Sequence, residues 1–260
     1  MNIVVLTASE PLYLPAFFGR YLEARAHSTR AIFMAPPCYG DDSTLDTARK
    51  YRRAFGWCNL GRLGWRTLGA KLRDRVFRRA VAGQFYSIRA AAVHHGIPCE
   101  TIADLNAESF RERLRSLNAD LIVSVSCPQI FRRPLIELPR HGSLNIHGAF
   151  LPHYRGIAPS FWMMAHGEKT AGLTVFLVNE DIDRGSVVET VEFPFQPDES
   201  LHEFIVRSKQ IACDALLRAI DKIESGDIQP APLPTDGGSY YSFPTREAYR
   251  EFRRRGRRLW

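Results

Sequence analysis

An asparagine and a histidine two residues apart open the part of this sequence that is best suited to chemistry. Asn145 and His147 accompany a short apolar strand, Leu144–Ile146, and on an extended chain residues i and i+2 project to the same face. A second apolar run ends in an acidic loop that contains Asp181 and Asp183. An amide, an imidazole and a carboxylate at strand ends form an arrangement from which acid–base sites are assembled.

A sheet is needed to position these groups, and the pattern of the chain predicts one. Residues 2–7 form a β-branched run typical of a buried parallel strand, and a helix over 14–24 and a strand over 31–34 follow. Residues 120–126 are the clearest strand. This order predicts an α/β, Rossmann-like fold with a mostly parallel sheet and helices on both faces. The first strand lacks the Gly-rich dinucleotide fingerprint, which argues against an NAD dehydrogenase.

We predict one domain with a small appendage. Residues 1–225 form the catalytic domain, whose last helix starts at the capping box Ser200–Glu203 and ends at Gly226. Residues 226–260 form a Pro-rich linker and an arginine-rich tail. Residues 41–89 form a basic, largely helical insert in the catalytic domain.

Composition excludes several classes of protein. No apolar run approaches the roughly 20 residues of a membrane helix, and the first residues lack the features of a signal peptide. The five cysteines are scattered and odd in number, which indicates free thiols in a reducing cytoplasm and argues against a metal site: Cys38, Cys58, Cys99, Cys127 and Cys213.

The positive charge is concentrated in two segments. Arg49–Arg89 contains twelve Lys or Arg against one acid, and Arg246–Trp260 contains seven Arg against two Glu. These segments carry +16 of a net charge of +7, so the remaining chain carries −9. The first segment also holds many large apolar residues, which leaves four interpretations: a solvated helical lid whose aromatic residues pack on the sheet, or a surface for an anionic substrate, RNA or a membrane.

A family resemblance rests on spaced motifs around the polar groups. The run N-x-H-x-x-x-L-P-x-x-R-G-x-x-P is followed by G-x-T and then D-x-G, and this resembles the signature of the folate-dependent formyltransferases. That family includes methionyl-tRNA formyltransferase, glycinamide ribonucleotide formyltransferase and amino-sugar N-formyltransferases. The matching residues are Asn145, His147, Leu151, Pro152, Arg155, Gly156, Pro159, Gly172, Thr174, Asp183 and Gly185.

The resemblance implies a formyltransferase catalytic domain that uses 10-formyltetrahydrofolate and needs no metal. Formyl transfer to an amine passes through a tetrahedral oxyanion. Asn145 would donate a hydrogen bond to that oxyanion, and His147 would carry a proton from the amine to the departing nitrogen. Asp183 would hold the imidazole and favour its protonated form.

Each residue also has a structural interpretation. Asn145 could satisfy the backbone of a turn, His147 could be a hydrogen-bonded core residue, and Asp183 could be a turn aspartate, with Asp181 as the rival carboxylate. A metal site made by His147, His153 and Asp183 is disfavoured by their spacing.

The resemblance also implies two sets of binding residues. The predicted folate-binding residues are Gln129, Ile130, Phe131, Val178 and Asp181. The predicted acceptor-binding residues are Ser9, Glu10 and Arg155, although Arg155 could equally order its own loop, and Ile130 and Phe131 could be core residues.

For the acceptor we predict an amino sugar, free or nucleotide-linked, or another small amine. About 35 residues after the start of the linker are too few for the C-terminal β-barrel of a methionyl-tRNA formyltransferase, and the region of Pro36 lacks that enzyme's Arg/Gly-rich loop. The first turn lacks the Gly-rich phosphate loop of the glycinamide ribonucleotide enzyme. A tRNA acceptor and a non-catalytic RNA- or membrane-binding relative remain the alternatives. The oligomeric state is left open, with a homodimer as one option.

Overall fold

The computed structural model describes residues 1–37, 42–77, 84–234 and 237–260, which form two compact units. The first unit comprises Met1–Asp42 and Leu63–Asn145, and the second comprises Ser43–Arg62 and Ile146–Trp260. The predicted boundary at residue 225 does not coincide with this division, because the predicted tail lies in the second unit. Residue 41 and residues 78–83 of the predicted insert lie outside the described residues, as do Cys38 and linker residues 235–236.

Strands and helices alternate through most of the chain. The strands are β1 (Ile3–Ala8), β2 (Thr29–Ala35), β3 (Cys99–Thr101), β4 (Leu121–Val125), β5 (Ser143–His147), β6 (Arg155–Gly156), β7 (Thr170–Leu177), β8 (Ser186–Pro194) and β9 (Tyr240–Tyr241). The helices are α1 (Leu14–Arg25), α2 (Thr44–Phe55), α3 (Trp57–Val76), α4 (Ile88–His94), α5 (Glu108–Ser116), α6 (Arg133–Ile136), α7 (Pro159–His166), α8 (Leu201–Ser225) and α9 (Arg246–Arg254). Among the described helices, none combines the length and the apolar character needed to cross a bilayer.

The first unit contains the parallel part of the sheet, in the order β3-β2-β1-β4-β5. β1 pairs in parallel with β2 and with β4, so that Val5 lies between Ile32 and Val123. Every residue of β1 and of β4 is buried, as expected for central strands of a parallel sheet covered by helices. The predicted Rossmann-like α/β fold is confirmed.

In the second unit the strand order is β5-β7-β8, and β7 pairs with β8 in antiparallel orientation. β5 therefore belongs to both units, because its last residues, Ile146 and His147, fall in the second. A separate two-stranded sheet joins β6 to β9 in parallel. The sequence did not predict this pairing, since two-residue strands have no periodicity.

The C-terminal helices follow their end signals. Ser200 and Glu203 form the predicted capping box of α8, and Gly226 ends that helix in the left-handed conformation. The arginine-rich α9 packs in the second unit through Phe252, which is fully buried and stacks on Phe161 at 5.1 Å. Tyr249 on the same helix meets Phe55 of α2 at 5.3 Å.

The described part of the basic insert consists of α2 and α3. Ser43 and Asp46 cap α2. At the end of the insert, residues 84–87 are not helical. Ser87 instead caps α4, because its hydroxyl accepts a hydrogen bond from the Ala90 N–H at 3.0 Å.

Candidate active site

Strand β5 carries both Asn145 and His147, separated by one residue, so strand alternation places them on the same face. His147 is buried, with 7% of its surface exposed. Asn145 is half-buried. The predicted amide and imidazole therefore stand together at the end of a short strand.

Both ring nitrogens of His147 have polar neighbours in the second unit. Nε2 lies 2.7 Å from the carbonyl oxygen of Tyr154. Since a carbonyl only accepts hydrogen bonds, Nε2 carries a proton and donates a hydrogen bond to this oxygen. Nδ1 lies 3.6 Å from Oδ2 of Asp183. Nδ1 is therefore the ring nitrogen that faces the carboxylate.

Asp183 is held in place by its own backbone and by a neighbouring loop. Its φ angle of 52° lies in the left-handed region. Its Oδ2 accepts a hydrogen bond of 2.9 Å from the Gly156 N–H. Asp181, the rival carboxylate, is exposed, and its N–H bonds the Asn179 side chain at 3.1 Å. The structure places Asp183 at His147, in accordance with the D-x-G match.

Several motif residues shape the backbone rather than touch a substrate. Thr174 is fully buried, and its hydroxyl donates to the Ala149 carbonyl at 2.8 Å and accepts from the Leu151 N–H at 3.1 Å. A Cβ at Gly172 would collide with Phe150, and one at Gly185 would collide with the Leu177 carbonyl. These close approaches explain why the motif has glycine and threonine at these positions.

The C-terminal tail holds the loop that carries these contacts. We call residues 152–157 the catalytic loop. The Ser239 hydroxyl accepts from the Tyr154 N–H at 2.9 Å, and the Ser239 carbonyl accepts from the Arg155 N–H at 2.9 Å. The Ser239 N–H donates to the Pro152 carbonyl at 3.2 Å, and the Tyr241 carbonyl accepts from the Ile157 N–H at 2.8 Å.

An aromatic stack supports the same loop. The Tyr154 ring lies 5.5 Å from Tyr241, whose other neighbour, Trp162, lies at 4.7 Å. The Tyr154 hydroxyl donates to Glu168 at 2.6 Å. Burial, with the hydrogen bond to Glu168, raises the pKa of Tyr154 above its ordinary range, so the phenol stays protonated at neutral pH.

The predicted folate-binding residues lie partly in each unit. In the first unit the Gln129 side chain accepts from the Leu105 N–H at 2.9 Å and donates to the Ala103 carbonyl at 2.6 Å. Ile130 is 59% exposed, whereas Phe131 is buried. In the second unit, Val178 is half-buried and Asp181 is exposed. Their common role in folate binding stays a prediction.

The predicted acceptor-binding residues have mixed environments. Ser9 is exposed, but the Glu10 carboxylate is engaged by the N–H groups of Leu12 at 2.7 Å and Tyr13 at 2.8 Å, at the start of α1. Arg155 points its guanidinium at the ring of Tyr240, with 5.9 Å from Cζ to the centroid. Glu10 thus has a structural role at the start of α1, which the sequence did not indicate.

The backbone groups that contact His147 and Asp183 leave no signal in the sequence. Backbone groups such as the Tyr154 carbonyl and the Gly156 N–H occur at nearly every position of a chain, so residue type does not predict their role. Ser239 and Tyr241 reach the catalytic loop from more than 80 positions away along the chain. The local signal for this contact would be the pair of tyrosines after Gly238, a glycine whose Cβ would collide with Pro152.

Comparison with known proteins gives a family match over residues 86–220, just over half of the chain, to the family described as formyl transferase. A methionyl-tRNA formyltransferase from Acidothermus cellulolyticus is 35% identical over 153 residues, which cover 59% of this chain and 47% of that protein. The chain thus spans about half the length of the curated relatives it matches.

Two solved structures show the same fold at low sequence identity. A sugar N-formyltransferase from a Shewanella species has a TM-score of 0.58 at 19% identity, covering 93% of this chain and 76% of its own. A phosphoribosylglycinamide formyltransferase from Anaplasma phagocytophilum has a TM-score of 0.60 at 15% identity, covering 93% and 98%. Both likenesses concern the fold alone.

Proposed function

This chain belongs to the formyl transferase family, and from that premise we propose that it transfers a formyl group from 10-formyltetrahydrofolate to a primary amine. The observation that carries the proposal is the pairing of His147 Nδ1 with Asp183 Oδ2 at 3.6 Å, two residues after Asn145 on β5. A buried imidazole with one nitrogen fixed and the other facing a carboxylate suits proton transfer.

The roles of the three residues follow from their chemistry. The neutral amine attacks the formyl carbon, and the amide N–H₂ of Asn145 is suited to donate to the oxygen on which negative charge develops. His147 takes the amine proton at Nδ1, because Nε2 is occupied by the Tyr154 carbonyl. The new C–N bond forms first and gives a tetrahedral oxyanion; when this collapses, the bond from the formyl carbon to the donor nitrogen breaks, and that nitrogen receives the proton from His147.

The donor supplies the formyl group, and residues of this chain fit its flat, polar-edged ring. Ile130 offers an exposed apolar side chain beside Gln129. Gln129 is tied to the backbone of residues 103–105, which supports a rigid wall. We propose that this segment, with Val178 and Asp181, binds the folate.

For the acceptor we propose a nucleotide-linked amino sugar or a similar small amine. No acceptor group among the described residues lies within hydrogen-bond reach of the buried Arg155 Nε. Tyr240, directly beside this guanidinium, is 52% exposed. The Nη1 of Arg155 donates to the Ile182 carbonyl at 3.5 Å, and a guanidinium next to an exposed aromatic face is suited to a phosphate and a ring on one ligand.

An aminoacyl-tRNA is the second candidate acceptor. The observation that favours it is the similarity in sequence to methionyl-tRNA formyltransferases, which extends over 59% of this chain. The two acceptor classes share the same donor chemistry, so the catalytic pair does not separate them.

The test is a turnover assay that follows release of tetrahydrofolate from 10-formyltetrahydrofolate with each amine in turn: a nucleotide-linked amino sugar, the free amino sugar and methionyl-tRNA. We expect the nucleotide-linked sugar to give the highest kcat/KM. His147→Ala should lower it roughly 10³-fold, because a positioned proton-transfer group contributes about 10²- to 10⁴-fold. Tyr240→Ala should raise KM for the amine more than for the folate.

His153→Ala is the matched control, because His153 is an exposed histidine within the catalytic loop itself. It should retain activity. Preference for methionyl-tRNA would replace the acceptor proposed here. Absence of turnover with every amine, or full activity of His147→Ala, would overturn the proposed reaction.

A further inference from the structure

Helix α3 is attached to the protein by a narrow inward side. Ala70 is the only buried residue among its twenty. Near its start, the Asn59 side chain donates to the Phe55 carbonyl at 2.9 Å and to the Tyr249 hydroxyl at 3.1 Å. Near its end, Arg73 lies over the Tyr86 ring at 6.0 Å. Two hydrogen bonds and one cation–π contact therefore tie the two ends of α3 to the protein.

The opposite side of α3 is apolar and faces solvent. We call its five large side chains the α3 stripe. They are Trp57 (71% exposed), Trp65 (77%), Leu68 (50%), Leu72 (54%) and Val76 (70%). Their spacing of eight, three, four and four residues places them along one face of a 3.6-residue helix about 30 Å long. A soluble helix normally turns such a face to the core, so this face calls for a partner.

Cations flank the stripe on both sides. By helical position, Arg62 and Arg73 lie along one edge, and Lys71 and Arg75 lie along the other. The single acid of α3, Asp74, lies on the inward side, opposite Leu72. The long stems of Lys and Arg can place their charges beyond the apolar residues they border.

This charge pattern discriminates between partners. A second copy of the same face would bring cations against cations with no facing carboxylate on α3. Nucleic acid would attract the cations, but three aliphatic side chains in the centre of the face add nothing to phosphate binding. A bilayer with anionic headgroups matches both parts, since aliphatic groups enter the acyl boundary, tryptophans favour the interface and cations meet phosphates.

We propose that α3 binds, parallel to the surface, to membranes that contain anionic phospholipids. The interaction is peripheral and reversible, with the α3 stripe at the depth of the headgroup and acyl boundary. It is independent of the formyl transfer proposed above, because none of these residues belongs to the catalytic pair or its loop.

The test uses the full chain and vesicles of phosphatidylcholine, with or without about 30% phosphatidylserine as the anionic lipid. Binding is measured by co-flotation and by the blue shift of tryptophan fluorescence. We expect binding to the anionic vesicles and at least tenfold weaker binding to the neutral ones. The double variant Trp65→Ser, Leu72→Ser should bind the anionic vesicles at least tenfold more weakly.

Val93→Ser is the matched control, because Val93 is an apolar residue of α4 with 69% exposure. It should bind as the unmodified protein does, and circular dichroism should show all variants folded. Arg62→Gln with Arg75→Gln should weaken binding several-fold and reduce its dependence on salt.

Three results would overturn the proposal. The first is equal binding by the unmodified protein and the double serine variant, or no binding to anionic vesicles at all. The second is self-association, seen by sedimentation, that depends on Trp65 and Leu72 in the absence of lipid binding. The third is binding to an unstructured RNA, again without lipid binding, that the double variant loses.

Discussion

The four consecutive N–H groups from Tyr154 to Ile157 all have acceptors: two on Ser239, one on Asp183 and one on Tyr241. On α3, by contrast, five large apolar side chains face solvent. The catalytic loop thus pairs all four of these N–H groups, whereas the α3 stripe leaves its apolar surface exposed. Contacts within the protein therefore hold the catalytic loop in one geometry. Packing within the protein does not account for the apolar composition of the α3 stripe.

The largest effect should come from the carboxylate that anchors this loop. Asp183→Asn replaces an oxygen that faces His147 Nδ1 and weakens the bond from the Gly156 N–H, so kcat should fall about 10²- to 10³-fold. Steady-state kinetics with the preferred amine measures this. Asp181→Asn removes a neighbouring exposed carboxylate and should change kcat less than twofold. Loss of activity in Asp181→Asn alone would reverse the assignment.

A smaller but structural effect should follow from filling the turn beside Asp183. In Gly185→Ala, the added methyl group meets the Leu177 carbonyl, so β7 and β8 must separate locally. We expect the free energy of unfolding to fall by about 3 kcal/mol, at the upper end for single substitutions. Urea denaturation provides the value. Gly64→Ala on α3, where a Cβ would meet nothing within 4 Å, is the control and should not destabilise.

Weakening the hydrogen bonds between Ser239 and the catalytic loop should lower kcat more than it lowers stability. Ser239→Pro removes the N–H that bonds Pro152 and the hydroxyl that accepts from Tyr154, at about 1 kcal/mol for each bond. We expect roughly tenfold lower kcat with a small change in Tm. Ser239→Ala removes only the hydroxyl and should show a smaller loss. Unchanged kinetics in both variants would show that the loop keeps its geometry without the tail.

Substitutions in the α3 stripe should hardly change the free energy of unfolding. Trp65→Ser and Leu72→Ser remove apolar groups that contact mainly water, so we expect the free energy of unfolding to change by less than about 0.5 kcal/mol each. Urea denaturation of each variant is the measurement. A loss of 2 kcal/mol or more would mean that the stripe is packed against the protein, and the contrast with the catalytic loop would disappear.

Thiol labelling should show the same contrast without any change in the sequence. Cys58 on α3 is exposed, whereas Cys99 is buried and burial raises the pKa of its thiol to about 11. Iodoacetamide at pH 8 should therefore modify Cys58 well before Cys99, as measured by peptide mass mapping. Equal rates would indicate that β3 opens readily.

The elements with strong local signals could be predicted from the sequence. The β-branched run of β1, the apolar strand β4 and the capping box of α8 each formed at the predicted place within a few residues. Spaced motifs also indicated Asn145, His147 and Asp183, because side chains with distinctive chemistry leave a pattern. Long-range backbone pairing leaves none, so the contact of β9 with β6 could not be predicted.

The basic insert shows a second limit of sequence analysis. Its alternating arginines and large apolar residues predicted helices, and α2 and α3 formed. Helical periodicity defines an apolar face but not its direction, since either side of α3 could pack inwards. The preference of apolar groups for the interior favoured a buried stripe, and the structure exposes it.

The pairing of β9 with β6 also has a consequence for how the protein is made. Synthesis from the N-terminus delivers His147, the catalytic loop and Asp183 well before Ser239 and Tyr241. A chain still attached to the ribosome therefore possesses its reactive groups while four hydrogen bonds around them lack their partners. The catalytic loop therefore gains these four hydrogen bonds only after residues 239–241 have been synthesised.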